Sequence, residues 1–258
     1  MPVSIAIAGA AGRMGRALIA AASARADLRI AGASERQGAP DLGKEAAPGV
    51  TIVDDAAKAS AGADVWIDFT APAATLAALS AIKSRAAIVG TTGLTSAEEA
   101  QIAEAAKRLA IVRSGNFSLG VNLLAGLVRQ AAQRLGPDWD IEILEAHHRH
   151  KKDAPSGTAL LLGEAAAEGR GRKLADIKLA PRDGITGPRP EGGIGFVVAR
   201  AGGVIGAHEV MFASEREVIT LKHDALDRAV FADGALAAAL WVADKPPGLY
   251  SMRDVLGL

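Results

Sequence analysis

The chain has 258 residues, room for one large domain or two modest ones, and we expect two. Lys plus Arg and Asp plus Glu number 29 each, so no global field exists to draw nucleic acid or an anionic membrane surface, and any attraction for anions must be local. Cysteine is absent, which excludes disulfides and thiolate metal sites and fits a reducing cytoplasm, and the opening "MPVSIAIAGAAGRMG" has neither the basic start of a signal peptide nor the uninterrupted apolar length of a membrane span.

In chain order, the first half alternates short β-branched or apolar runs with Ala-rich runs of helical period, the pattern of βαβ units around a parallel sheet. Strands are expected at 3–8, 28–33, 65–69, 87–89 and 111–113, with helices at 14–24, 73–83 and 96–108. The last of these reads as starting on Ser96 as N-cap, with Glu99 three residues on at capping-box spacing. This is a doubly wound, Rossmann-like layout.

Beyond Asn116 the pattern changes to a helix at 121–135, a strand at 139–147 and a helix at 157–167. Strand-like runs follow at 194–200, 204–212 and 217–222, adjacent enough to predict a mostly antiparallel or mixed sheet in a second, α+β domain. The stretch "PRDGITGPRPEGGIG", 181–195, is too long for an ordinary connection and reads as a functional or a floppy loop. Residues 225–242 form a further amphipathic helix, and the tail "PPGLYSMRDVLGL" ends in apolar residues that need somewhere to dock.

"GAAGRMG" places Gly9, Gly12 and Gly15 directly after the first strand and into the first helix, the context of a dinucleotide fingerprint with spacing GxxGxxG. Glycine suits it because the backbone must turn tightly, a pyrophosphate must approach main-chain N–H groups, and the helix must lie close on the sheet. Glu35 falls 20 residues after Gly15, at the end of the second strand, where an acid takes the ribose hydroxyls of NAD. Arg36 beside it can pair with the 2′-phosphate of NADP, so binding of both NADH and NADPH is expected. The turns "DFTAP" and "GTTG" follow later strands of the same sheet, whose carboxyl ends form the ligand crevice. Phe69, Thr70, Gly90, Thr91 and Thr92 should therefore line the nicotinamide half.

In "EAHHRHKKDAPSGTA" every residue from His147 to Lys152 is His, Arg or Lys. A metal is disfavoured because Arg149, Lys151 and Lys152 would surround it with like charge. Nucleic acid is disfavoured because the chain is only 3% aromatic and the basic patch is narrow. A solvated strand end, the usual fate of a charge run, leaves the following residues unexplained. Those residues read as a helix start: Pro155 stops the strand, Ser156 caps, and Gly157 and Thr158 take the first helical positions, with N–H groups pointing out of the helix toward an anion. A strand that persisted would put His147, Arg149 and Lys151 on one face. The segment thus expects a compact, multiply charged carboxylate.

Together with "GAAGRMG", "GTTG", "SGNFSLGVN", "GGVIGAHEVMF" and "GLYSMRDVL", this string resembles the 4-hydroxy-tetrahydrodipicolinate reductase (dihydrodipicolinate reductase) family of lysine and diaminopimelate biosynthesis along the whole chain. The resemblance implies reduction of a cyclic dicarboxylic imine precursor with NADH or NADPH, and a homotetramer built through the second domain's sheet. It also implies a C-terminal segment, 229–258, returning to the nucleotide domain 1–118, with 119–228 as the substrate-binding and oligomerisation domain. It assigns His147 as proton donor or acceptor, Lys151 as proton donor, His148 as a substrate contact, and Gly157 and Thr158 as carboxylate-binding amides. Its cofactor contacts fall on Gly9, Ala10, Ala11, Gly12, Arg13 and Met14, on Glu35 and Arg36, on Gly90, Thr91 and Thr92, and on Ser114, Gly115, Asn116 and Phe117. The chain departs from the family at Lys152, where an apolar residue is usual, and at Ala71, where an arginine is usual and where its absence bears on NADP preference.

With substrate residues in one domain and nucleotide residues in the other, closure about hinges near 116–120 and 225–230 is expected to precede reaction. Neighbouring cations should depress one another's proton affinity and favour a donor usable near neutral pH. Rival readings are an aspartate- or homoserine-type amino-acid dehydrogenase and a regulator that senses NAD(P)H without turnover. The second would have no use for a proton donor.

Overall fold

The computed structural model describes residues 1–258. The chain forms two compact units, one of Met1–Leu119 with Ala229–Leu258 and one of Gly120–Arg228.

The first unit carries β1 (Val3–Ala8), α1 (Arg13–Ser23), β2 (Leu28–Ser34), β3 (Glu45–Ala47), β4 (Val50–Val53), α2 (Ala56–Ser60), β5 (Val65–Asp68), α3 (Pro72–Ala81), β6 (Ala86–Val89), α4 (Ser96–Ala105) and β7 (Ala110–Arg113). Its sheet runs β4-β2-β1-β5-β6-β7 with parallel neighbours throughout, and the short β3 pairs antiparallel with β4. Alternate residues of each strand enter different cores. Ile5, Ile7, Ile67 and Ile88 pack with α1, while Ala6, Trp66, Ala87 and Ile111 pack with α3 and α4. Both faces are covered, which is why these strands read as continuous apolar runs.

The second unit holds α5 (Leu119–Arg134), β8 (Asp140–His147), α6 (Gly157–Gly169), α7 (Leu174–Ile177), β9 (Ile194–Arg200), β10 (Gly206–Ala213) and β11 (Val218–Ala225). Its sheet, ordered β11-β10-β8-β9, is mixed: β10 is antiparallel to β8 and β11, and β8 and β9 are parallel. Leu124 and Val128 of α5 and Leu162 and Ala166 of α6 cover the face bearing Ile141, Ile143, Val210 and Phe212.

The chain then returns to the first unit through α8 (Ala229–Val242), β12 (Gly248–Tyr250) and α9 (Met252–Leu256). β12 extends the first sheet parallel to β7, and Ala232, Ala235, Leu236 and Ala239 of α8 complete the core beside α1. No helix is long and apolar enough to cross a membrane.

Two local expectations are corrected, and the stretch read as a functional or a floppy loop makes side-chain ties to β8. The cap of α4 is Thr95, not Ser96: its side chain accepts the Glu98 N–H while the Glu98 carboxylate accepts the Thr95 N–H, so the capping box sits one residue earlier. The helix expected from 225 begins at Ala229, because Ala225 still pairs with Gly206 as the end of β11. The stretch 181–195 is tied down: Arg189 donates to Asp140, Glu142, the Ile141 carbonyl and the Gly193 carbonyl, Arg182 also pairs with Glu142, and β9 starts at Ile194.

Candidate active site

In the first unit the expected cofactor residues all follow the carboxyl ends of adjacent parallel strands. Gly9 to Gly12 follow β1, Glu35 and Arg36 follow β2, Phe69 and Thr70 follow β5, Gly90 to Thr92 follow β6, and Ser114 to Phe117 follow β7. One edge of the sheet therefore gathers them.

The glycine loop has the geometry the motif requires. Gly9 has φ +61°, a left-handed conformation, and a Cβ there would come within 2.9 Å of the Thr70 methyl. A Cβ on Gly15 would overlap the Gly9 carbonyl and lie 2.7 Å from Ala10 Cα, so only glycine lets α1 press against the loop. Gly12 is the N-cap of α1 and has no side chain to cap it, which leaves the first-turn amides of Arg13 and Met14 to a ligand. Within the loop the Ala10 and Gly12 amides are used by Ser34 and Gly9 carbonyls. The Glu35 carboxylate accepts its neighbour Arg36's N–H at 3.0 Å, and Glu35 Oε1 lies 3.9 Å from where a Gly9 Cβ would be. These residues fit a dinucleotide: a glycine cradle, an uncapped helix start, and an acid beside the cradle.

Sequence reasoning missed Asp68, which joins two of these turns. Its buried Oδ1 accepts the Thr70 N–H at 2.9 Å and the Thr70 hydroxyl at 2.6 Å, and the Thr91 hydroxyl lies 3.4 Å away. Thr91 in turn bonds Thr75 at 2.7 Å. The Phe69 ring stands edge-on to Phe117 at 5.2 Å and occupies the space that a side chain at position 90 would need.

In the second unit β8 ends at His147. The alternation expected to place His147, Arg149 and Lys151 on one face ends there too, since the chain turns with the Lys151 N–H on the His148 carbonyl. Arg149 and His150 are exposed, His147 is buried, and Lys151, mostly buried, pairs with Asp153 at 2.9 Å. Ser156 caps α6 by accepting the Ala159 N–H at 3.0 Å, and Gly157 and Thr158 hold the first two helical positions as expected. A Cβ on Gly157 would meet nothing within 4 Å, so protein packing does not demand glycine there.

Strand register brings in partners from far along the chain. His208 of β10 stands directly opposite Glu145, and His223 of β11 stands opposite His208. Arg200 of β9 is in register with His147. The Glu145 side chain is fully buried and meets His147 Nδ1 at 2.6 Å, both Arg200 terminal nitrogens at 2.7 and 2.8 Å, and the Ser156 N–H at 3.0 Å. His208 Nε2 lies 3.0 Å from Ser156 Oγ, and its ring stands edge-on to His147 at 5.0 Å.

Electrostatics follow from these contacts. Burial raises the Glu145 pKa, but Arg200, His147 and the Ser156 amide together outweigh it and hold the carboxyl below its usual range. Burial, then the charge of His147, pushes His208 down to about 4. Burial and then Arg228, His150, His147 and Lys151 hold His148 below its ordinary value, in the direction expected of crowded cations. The Nδ1 atoms of His148, His208 and His223 are buried without a hydrogen-bond partner. No three His, Asp or Glu side chains are grouped to hold a metal ion.

Residues 3–117 match the family model described as dihydrodipicolinate reductase, N-terminus, and residues 120–256 match its C-terminus counterpart. The 4-hydroxy-tetrahydrodipicolinate reductase of Caulobacter vibrioides is 54% identical over 260 residues, covering 99% of this chain and 98% of the relative. The reductase of the same name from Rhizobium rhizogenes is 53% identical, covering 99% and 97%. Among solved structures, a dipicolinate-bound dihydrodipicolinate reductase from Paenisporosarcina superposes with a TM-score of 0.78 at 25% identity, covering 97% of this chain and 98% of that one. An amine dehydrogenase from Mycobacterium smegmatis, at TM-score 0.66 and 13% identity, shares the fold.

Proposed function

The chain belongs to the dihydrodipicolinate reductase family, and from that premise we propose how its residues reduce 4-hydroxy-tetrahydrodipicolinate to tetrahydrodipicolinate, a step of lysine and diaminopimelate biosynthesis. The conversion removes a hydroxyl as water and adds a hydride and a proton. NADH or NADPH, when bound, supplies the hydride. The glycine cradle and the first-turn amides of α1 hold the pyrophosphate, Glu35 takes the ribose hydroxyls of NADH, and Arg36 takes the 2′-phosphate of NADPH. The turns at Phe69–Thr70, Gly90 to Thr92 and Ser114 to Phe117 bound the nicotinamide.

The second unit supplies recognition and the proton. The amides of Gly157 and Thr158 hold one substrate carboxylate, and His148 contacts the substrate. Cationic side chains offset the dianion's charge as it approaches the phosphates. His147, its Nδ1 occupied by Glu145, presents Nε2 for proton exchange, and the Lys151 ammonium delivers a proton to the ring. The observation that carries this reading is the β8–α6 junction, where a buried, carboxylate-oriented imidazole stands beside a capped helix start whose Gly157 opens on space. A regulator without turnover has no use for that arrangement.

A homotetramer through the second sheet is the proposed assembly, supported by exposed Val197 and Val198 on the edge strand β9 and Val218 and Ile219 on the edge strand β11. The proposed location is the cytoplasm.

A coupled assay with the product of dihydrodipicolinate synthase and each cofactor tests the reading. Turnover of that product is expected, and oxidation of NADH by aspartate semialdehyde instead would favour a homoserine-type enzyme. His147→Ala and Lys151→Ala should each lower kcat by roughly 10²–10⁴-fold with NADH affinity retained; full activity in either removes that residue from the mechanism.

A further inference from the structure

Glu145 lies on the helix-covered face of β8, two residues before His147, and its carboxylate has a partner on every side. One oxygen meets His147 Nδ1 and one Arg200 nitrogen; the other meets the second Arg200 nitrogen and the Ser156 N–H. An ionised carboxylate only accepts, so its 2.6 Å contact puts the imidazole proton on Nδ1 and leaves Nε2 as the exchanging atom. The other oxygen grips the N-cap residue of α6 by its main chain, and thereby sets where the Gly157 and Thr158 amides begin.

We propose that Glu145 is a positioning residue of the reduction: one buried side chain sets both the tautomer of His147 and the place of the carboxylate-binding helix start, linking proton transfer to substrate recognition. This rests on the roles given above to His147, Gly157 and Thr158. Arg200 holds the carboxylate in register by a two-pronged contact and also donates to the Asp153 carbonyl, in the loop whose Asp153 side chain holds Lys151. His208, opposite Glu145, bonds the Ser156 hydroxyl and braces the His147 ring, so the helix cap is held by backbone and by side chain.

The first test uses the wild-type protein. Nitrogen-15 histidine spectra at neutral pH should show His147 as the Nδ1–H tautomer; the Nε2–H tautomer would overturn the proposal. The second uses Glu145→Gln, whose neutral amide loses the two-pronged Arg200 contact that holds both oxygens in place. We expect kcat to fall roughly 10²-fold, the Kd for pyridine-2,6-dicarboxylate to rise roughly 10-fold, and the Kd for NADH to stay unchanged. Introduced into His147→Ala, the same change should lower kcat by no more than about twofold further, because it acts through the absent imidazole, yet still raise the dicarboxylate Kd roughly 10-fold. Multiplying losses in kcat, or unaltered dicarboxylate binding, would overturn the proposal. Full activity of His147→Ala would instead overturn the role of His147, and with it the imidazole half of this one. Should Glu145→Gln fail to fold by circular dichroism, Arg200→Lys, which loses the two-pronged contact, is measured against the same two constants.

Discussion

Acid should weaken this protein through His208 in a way a single substitution can isolate. The residue is 4% exposed, and burial together with His147 lowers its pKa to about 4 from an ordinary 6.5. As pH falls through 6.5 the unfolded chain takes up a proton that the folded chain refuses until about 4, so the unfolded state binds more protons throughout that window. The stability is therefore fully present above 6.5 and is lost on descent toward 4. Between about pH 8 and pH 5 the two proton-binding curves differ by about 2 kcal/mol. His208→Gln keeps a polar atom within reach of Ser156 but does not titrate. Urea unfolding at fixed protein concentration should give a pH 8 to pH 5 loss smaller by about 2 kcal/mol in the variant than in the wild type. Glu145, also held below its usual range, adds an acid-side loss of the same sign in both proteins, at lower pH. Equal losses in the two proteins would refute the argument, because they would mean that His208 takes up its proton alike folded and unfolded.

Other positions give simpler outcomes. Glu35→Ala should weaken NADH more than NADPH in fluorescence titrations, since only the unphosphorylated ribose needs the acid; equal losses would show that the ribose role is wrong. Gly157→Ala should leave the melting temperature unchanged, because its methyl meets nothing within 4 Å, yet raise the Kd for pyridine-2,6-dicarboxylate in calorimetry if an anion must come close there. Thr95→Ala removes one half of a reciprocal cap and should cost about 1 kcal/mol in denaturant unfolding, whereas Ser96→Ala, expected to matter from sequence spacing, should cost less.

Much of the architecture was legible because it is written locally. Apolar runs at Val3–Ala8, interrupted only by Ser4, and at Ala86–Val89 mark strands buried on both faces, and the glycines at 9, 12 and 15 announce a turn that no other residue could make so tightly. Ser156, Gly157 and Thr158 read as a helix start because capping is a matter of adjacent residues. What is short or lightly patterned was missed: β3 and β4, α2, α7, β12 and α9 are each of five residues or fewer, too brief to show a period. The misplaced cap on α4 shows the limit of motif spacing, because Thr95–Glu98 and Ser96–Glu99 are equally spaced and only backbone geometry chooses between them.

The catalytic candidates divide along the same line. His147, Lys151, Gly157 and Thr158 announce themselves by charge, by glycine and by neighbourhood. Glu145 was in view but had no role, since its meaning lies in Arg200, 55 residues away, and in His147 beside it. Likewise Ser156 meets His208 across 52 residues. Composition, periodicity and turn chemistry thus settled most of the strands and helices and the glycine turns between them. Only the folded sheet decided which side chains face one another, because strand register slides in steps of one residue and each step exchanges every partner on a face.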